Sequence, residues 1–138
     1  MITFNYETDF ALPQPETDFQ RWIDAIIDSE NKILGEINYI FCNDDYLFEI
    51  NKTYLDHDTL TDIITFDYTE GNTLSSDIFI SVERVADNAS DFNVPFTTEL
   101  LRVMAHGILH LCGYKDKTEA DSQLMRAKED EKIALFKA

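Results

Sequence analysis

A chain of 138 residues has the length of one ordinary domain and enough material to bury an apolar core. Hydrophobic residues at 44% and aromatics at 12% exclude a disordered composition, and no apolar run approaches the roughly 18–20 residues that a membrane-spanning helix needs. A net charge of −16 weighs against a broadly basic nucleic-acid surface but leaves room for a local one, because phosphate contacts need only a patch of cations.

The negative charge is unevenly spread. Residues 1–51 carry eleven acidic side chains against Arg21 and Lys32, whereas residues 102–138 carry seven basic against six acidic ones. Met1 to Asp9 has neither a basic nor an apolar leader region, so a cytoplasmic protein is expected. Cys42 and Cys112 read as reduced, packed thiols, since two cysteines make no disulfide framework.

Ile2 to Tyr6 alternates and reads as a strand. After Pro13 and Pro15, Thr17 is placed to cap a helix. Its apolar positions Phe19, Trp22, Ile23, Ile26, Ile27, Ile33 and Leu34 follow the helical period, with Gly35 as its stop. Glu36 to Cys42 is a strand by its aromatic and β-branched content, and Asn43 or Asp44 then caps a short helix with Leu47, Ile50 and Tyr54. Residues 61–68 and 76–82 are strand-like runs around the turn signal Glu70-Gly71-Asn72, most simply joined as a hairpin. A helix at about 83–91 is followed by a loop ending in Pro95. Thr97 or Thr98 opens a helix that reaches Cys112, and Thr118 opens a last one with Leu124, Ile133 and Phe136 available for packing. The order predicts one α+β domain over residues 1–138, a small mixed sheet of about four strands packed with about five helices.

The chemistry concentrates in the helix before Cys112. Leu100, Leu101, Val103, Met104, Ala105, Ile108, Leu109 and Leu111 make it apolar almost all round, so it should be buried. Against that background Arg102, His106 and His110 recur at intervals of four and fall on one face. Two histidines at i and i+4 can share one metal ion. Gly113 is a natural left-handed helix terminator, after which Tyr114-Lys115-Asp116 can fold back to bring a third side chain to the same point. Counted from His106, the ligands stand at positions 1, 5 and 11 and the glycine at 8. This is the spacing of the metzincin zinc signature, with aspartate in place of its last histidine. A His₂Asp set with an open fourth position describes a catalytic site better than a closed structural one, and its imidazoles favour Zn²⁺ among the divalent transition metals. At position 2, where a zinc protease carries its general-base glutamate, stands Gly107, which argues against proteolysis.

The segment from His106 to Tyr114, HGILHLCGY, resembles the H-G-x-L-H-L-x-G-Y-D-H signature of the bacterial YbeY-type endoribonucleases and rRNA maturation factors. The resemblance extends upstream. Ile50-Asn51-x-x-Tyr54 and Thr61 to Phe66 are similar to the family's L-N-x-x-Y-R and P-T-D-V-L-S-F segments, and Asp77 to Ser81 to its G-D-I-x-I-S strand. Two positions depart from it: Lys115-Asp116 stands where the family usually has Asp-His, and Leu55 stands where an arginine usually follows the tyrosine.

The resemblance implies a single-strand-specific, metal-dependent endoribonuclease. It would act in rRNA maturation at the 3′ end of 16S rRNA and in ribosome quality control, with ribosomal RNA and small-subunit ribosomal proteins as partners. His106, His110 and Asp116 would hold the metal. Asp62, placed by its motif, is the candidate base, and Arg102 would stabilise developing charge, its alternative being a salt bridge with Glu99. His57 is as well suited to a solvent-exposed role as to a place beside the site. Two other readings stand beside the enzyme: a non-catalytic, metal-stabilised ribosome assembly factor, and a zinc protease or small-molecule hydrolase.

Overall fold

The computed structural model describes residues 1–55 and 61–137. In chain order the elements are β1 (Ile2–Tyr6), α1 (Glu16–Ser29), β2 (Ile33–Cys42), α2 (Asp44–Leu55), β3 (Ile63–Asp67), β4 (Thr73–Ser81), α3 (Val82–Phe92), α4 (Phe96–Leu111) and α5 (Glu119–Ile133). The strands form one mixed sheet in the order β1-β2-β4-β3, in which β3 is the antiparallel member. The α+β class and the element order agree with the sequence reading.

The pleat separates two faces. Ile37, Tyr39 and Phe41 of β2 and Leu74, Ile78 and Ile80 of β4 point to one side, where they join Phe19, Trp22, Ile23 and Ile26 of α1 and the apolar surface of α4 in the main core. A smaller cluster on the other side sets Leu47 of α2 against Cys42 and Ile64. Elsewhere that outer face is polar, with a side-chain ladder running from Thr3 through Asn38 and Asp77 to Tyr68.

Helix α4 runs through the middle of the molecule, and the Tyr39 hydroxyl donates to its Met104 carbonyl at 3.0 Å. Gly107 is the point of closest approach. A Cβ there would lie 3.1 Å from Ile63 Cδ1 and 3.3 Å from Ile78 Cδ1, so the helix rests on the sheet where that residue lacks a side chain.

Several local expectations are corrected. Thr17 lies within α1, whose N-cap is Pro15. Helix α1 ends at Ser29, and Ile33 and Leu34 belong to β2. The stop is Asn31, left-handed at φ 59°, with Lys32 N–H donating to the Ile27 carbonyl and Asn31 N–H to that of Asp28. This is the reverse-turn cap that asparagine can supply in place of glycine. Ile33 and Leu34 matched the helical period, but pairing with Thr73 and Leu74 of β4 claims them. Gly35 lies within β2, where a Cβ would come within 2.7 Å of the Leu74 carbonyl, next to a register shift between Leu34 and Ile37. Pro95, rather than Thr97 or Thr98, occupies the N-cap of α4. On α5 Met125 is buried while Leu124 is half exposed, and Ile133 and Phe136 pack against the core as expected.

The hairpin between β3 and β4 is as expected. Gly71 takes φ 59° at its tip, and Glu70 and Thr73 exchange backbone hydrogen bonds across a two-residue loop.

Candidate metal centre

The site begins with the way α4 ends. Gly113 adopts φ 104°, Tyr114 N–H donates to the Leu109 carbonyl at 3.1 Å and Gly113 N–H to the His110 carbonyl at 3.0 Å. This Schellman closure satisfies two otherwise orphaned carbonyls and reverses the chain, so residues 114–116 return past the helix they have just left. The Tyr114 carbonyl then accepts from His110 Nδ1 at 3.0 Å.

His106 is oriented by a different element. Its Nδ1 lies 2.7 Å from Oε2 of Glu129 on α5, a carboxylate that is 5% exposed. With both Nδ1 atoms engaged as donors, the two Nε2 lone pairs face the same point. They meet Asp116 Oδ2 there, at 3.3 Å from His106 Nε2 and 3.4 Å from His110 Nε2.

These separations test whether the residues suit a metal. A tetrahedral ion with bonds of about 2.0–2.1 Å holds its ligand atoms about 3.3–3.4 Å apart. The three ligand atoms lie within 4.8 Å of one another. With neutral imidazoles no proton lies between these lone pairs, so a cation relieves their mutual repulsion. Burial disfavours charge on His106, yet the bond and charge of Glu129, with Asp116 and Asp62, raise its basicity above the ordinary histidine value. That strengthens it as a donor.

Around this point the surface is concave. A cleft of about 690 Å³ is bounded by α2, β3 and α4, with His106, His110 and Asp116 at one end and Leu55, Ile63, Ile64 and Leu111 among its apolar walls. Asp62 borders it too, immediately before β3. Burial lifts the Asp62 carboxyl above the ordinary aspartate range, opposed by the nearby His106, and Asn88 donates to it at 3.4 Å.

The sequence pattern of the family described as Endoribonuclease YbeY matches residues 3–137. The chain belongs to the YbeY family. It is 68% identical to the Endoribonuclease YbeY of Flavobacterium johnsoniae over 99% of this chain and 97% of the relative. Its identity to the protein of that name from Bacteroides fragilis is 51%, covering 99% of each. The solution structure of a Thermotoga maritima protein superposes with a TM-score of 0.69 at 27% identity, covering 99% of this chain and 89% of the other.

Both positions read from the sequence as departures, Leu55 and Asp116, line the cleft. Arg102 does not pair with Glu99: its Nη1 lies 3.1 Å from Glu129 and its Nη2 2.7 Å from Asp130. Glu129 thus holds Arg102 with one oxygen and His106 with the other. His57 lies outside the described residues.

Sequence reasoning missed Glu129 and the anchor of the ligand loop. The Tyr114 hydroxyl donates to Glu30 at 2.7 Å, and the buried Lys132 ammonium donates to Glu30 at 2.7 Å and to Ser29 at 2.8 Å. A usable signal existed: Met125, Glu129 and Lys132 are spaced four and three apart, which puts Glu129 on the packed face of α5.

Proposed function

We propose that residues 1–138 act as one YbeY-like metal-dependent hydrolase domain. It is a cytoplasmic, single-strand-specific endoribonuclease that works in rRNA maturation, including 16S rRNA 3′-end processing, and in ribosome quality control. One observation carries the reading: two histidines with their Nδ1 atoms tied back and their Nε2 atoms turned to Asp116, at the edge of a cleft that also holds Asp62. His106, His110 and Asp116 would hold one divalent ion, Zn²⁺ by the preference of its imidazoles. When bound, the ion supplies Lewis acidity toward a phosphodiester and acidifies water near neutral pH.

The chain's own residues do the rest. Asp62, with its raised pKa, accepts a proton from the attacking water, a role best filled by a base that titrates nearer neutrality. Glu129 keeps His106 in the tautomer that leaves Nε2 free. Arg102 neutralises Glu129 and acts on the charge of the site through it. The apolar walls at Leu55, Ile63 and Leu111 accept an unpaired base, whereas a base-paired helix presents a phosphate ridge instead. Ribosomal RNA and small-subunit proteins are the partners this reading implies. Gly107 leaves no room for the base of a zinc protease.

Zinc-loaded protein should cut a single-stranded RNA oligonucleotide and leave its duplex intact. His106→Ala should lose both bound zinc and cleavage. Asp62→Asn should keep the zinc and lose about 10²–10⁴-fold in rate. Uncut single-stranded RNA, together with rescue of an rRNA-maturation defect by His106→Ala, would replace the enzyme with a non-catalytic assembly factor.

A further inference from the structure

The centre at His106 and Asp116 is flanked by clefts on two sides. The second, of about 270 Å³, lies between α4 and α5 and shares Asp62, Ile63, His106 and Asp116 with the larger one. Its remaining wall includes Glu99, Arg102, Arg126 and Glu129. A polyanion entering there meets four carboxylates, so it needs a cation that the protein has not already neutralised. Arg102 does not qualify, because both of its terminal nitrogens are bound to carboxylates. Arg126 does. It is exposed on α5 and makes no hydrogen bond or salt bridge among the described residues, though its charge acts on nearby Glu99.

We propose that Arg126 is the phosphate anchor of the smaller cleft. It grips a backbone phosphate next to the one held at the metal centre, so that a single strand crosses from one cleft to the other over His106 and Asp116. A guanidinium suits this task because its planar fork donates two parallel hydrogen bonds to phosphate and gives up hydration readily. The inference rests on the ribonuclease reading of the centre and adds to it a direction for the strand.

Two measurements test it. In the first, inorganic phosphate is titrated into zinc-loaded protein and the arginine side-chain Nε–Hε resonances are followed by NMR; that of Arg126 should shift and that of Arg102 should not. In the second, Arg126→Ala should raise KM for a fluorescent single-stranded RNA about tenfold, with kcat within about twofold. Its zinc content should be unchanged, and Arg126→Lys should recover part of the loss. A silent Arg126 resonance with an unchanged KM would overturn the anchor and leave the ribonuclease reading intact. If zinc-loaded wild type leaves RNA uncut, the ribonuclease reading fails, and the phosphate titration alone decides: a shift supports the anchor and its absence overturns it.

Discussion

Glu129 and Gly107 define the centre from behind. The Glu129 carboxylate spans the Arg102 guanidinium at 3.1 Å and the His106 ring at 2.7 Å, and removing it would leave His106 Nδ1 without its acceptor and Arg102 with Asp130 alone. Glu129→Gln keeps the shape but weakens the hold on Nδ1, and should lower zinc affinity about 10–100-fold, as measured by competition with a chromogenic chelator. Gly107 sets the opposite constraint. Gly107→Glu, which restores the residue a zinc protease would carry, drives a carboxylate against Ile63 and Ile78. It should destabilise the fold by several kcal/mol in chemical denaturation and create no peptidase activity. At this scale the i, i+4 histidines were legible because helix geometry alone places them on one face. Glu129 was not, because its direction depends on how α5 docks, and α5 by itself is polar nearly all round.

At the level of elements, the loop that carries Asp116 is pinned to the end of α1. Burial would raise the Glu30 carboxyl, but hydrogen bonds from Lys132 and Tyr114 and the charges of Lys132 and Lys128 hold it below the ordinary glutamate range. A carboxyl depressed in the fold stabilises at pH above its unfolded value, and that contribution disappears as pH falls through the folded value. Thermal unfolding followed across the acid range should therefore show a loss of stability below the ordinary glutamate range, and Glu30→Gln should flatten that limb. At neutral pH the same substitution should cost about 2–4 kcal/mol, because it leaves the buried Lys132 with the half-exposed Glu131 as its one remaining carboxylate among the described residues, beside the Ser29 hydroxyl. Tyr114→Phe removes only the hydroxyl and should cost about 1 kcal/mol. The element order was legible from hydrophobic periodicity, whereas the end of α1 was not. Asn31 closes the helix in the left-handed conformation, but Ile33 and Leu34 beyond it keep the helical period, and the strand that claims them instead, β4, lies forty residues further on.

The whole molecule meets a polyanionic substrate with a net charge of −16. Binding driven by a basic surface weakens steeply with salt, by about 0.7 log units of affinity per decade of salt for each phosphate neutralised on a single strand. With Arg126 the one arginine among the described residues lining the clefts that has no carboxylate partner, RNA affinity should show a slope worth only one or two phosphates, checked by fluorescence anisotropy across a salt series. Removing zinc by dialysis against a chelator should weaken that affinity more than a tenfold rise in salt does. The three proposed ligands stand within eleven residues of one another in the chain, from His106 to Asp116. If they hold zinc, a set so short also lies together in the denatured polypeptide and would bind the ion before any tertiary contact has formed. Zinc binding to that state offsets part of the stabilisation gained by the native one. The rise in melting temperature should accordingly fall short of what the native affinity predicts; a large shortfall means the denatured chain binds nearly as well, and a small one means the affinity depends on groups, Glu129 among them, that only the folded chain brings to His106.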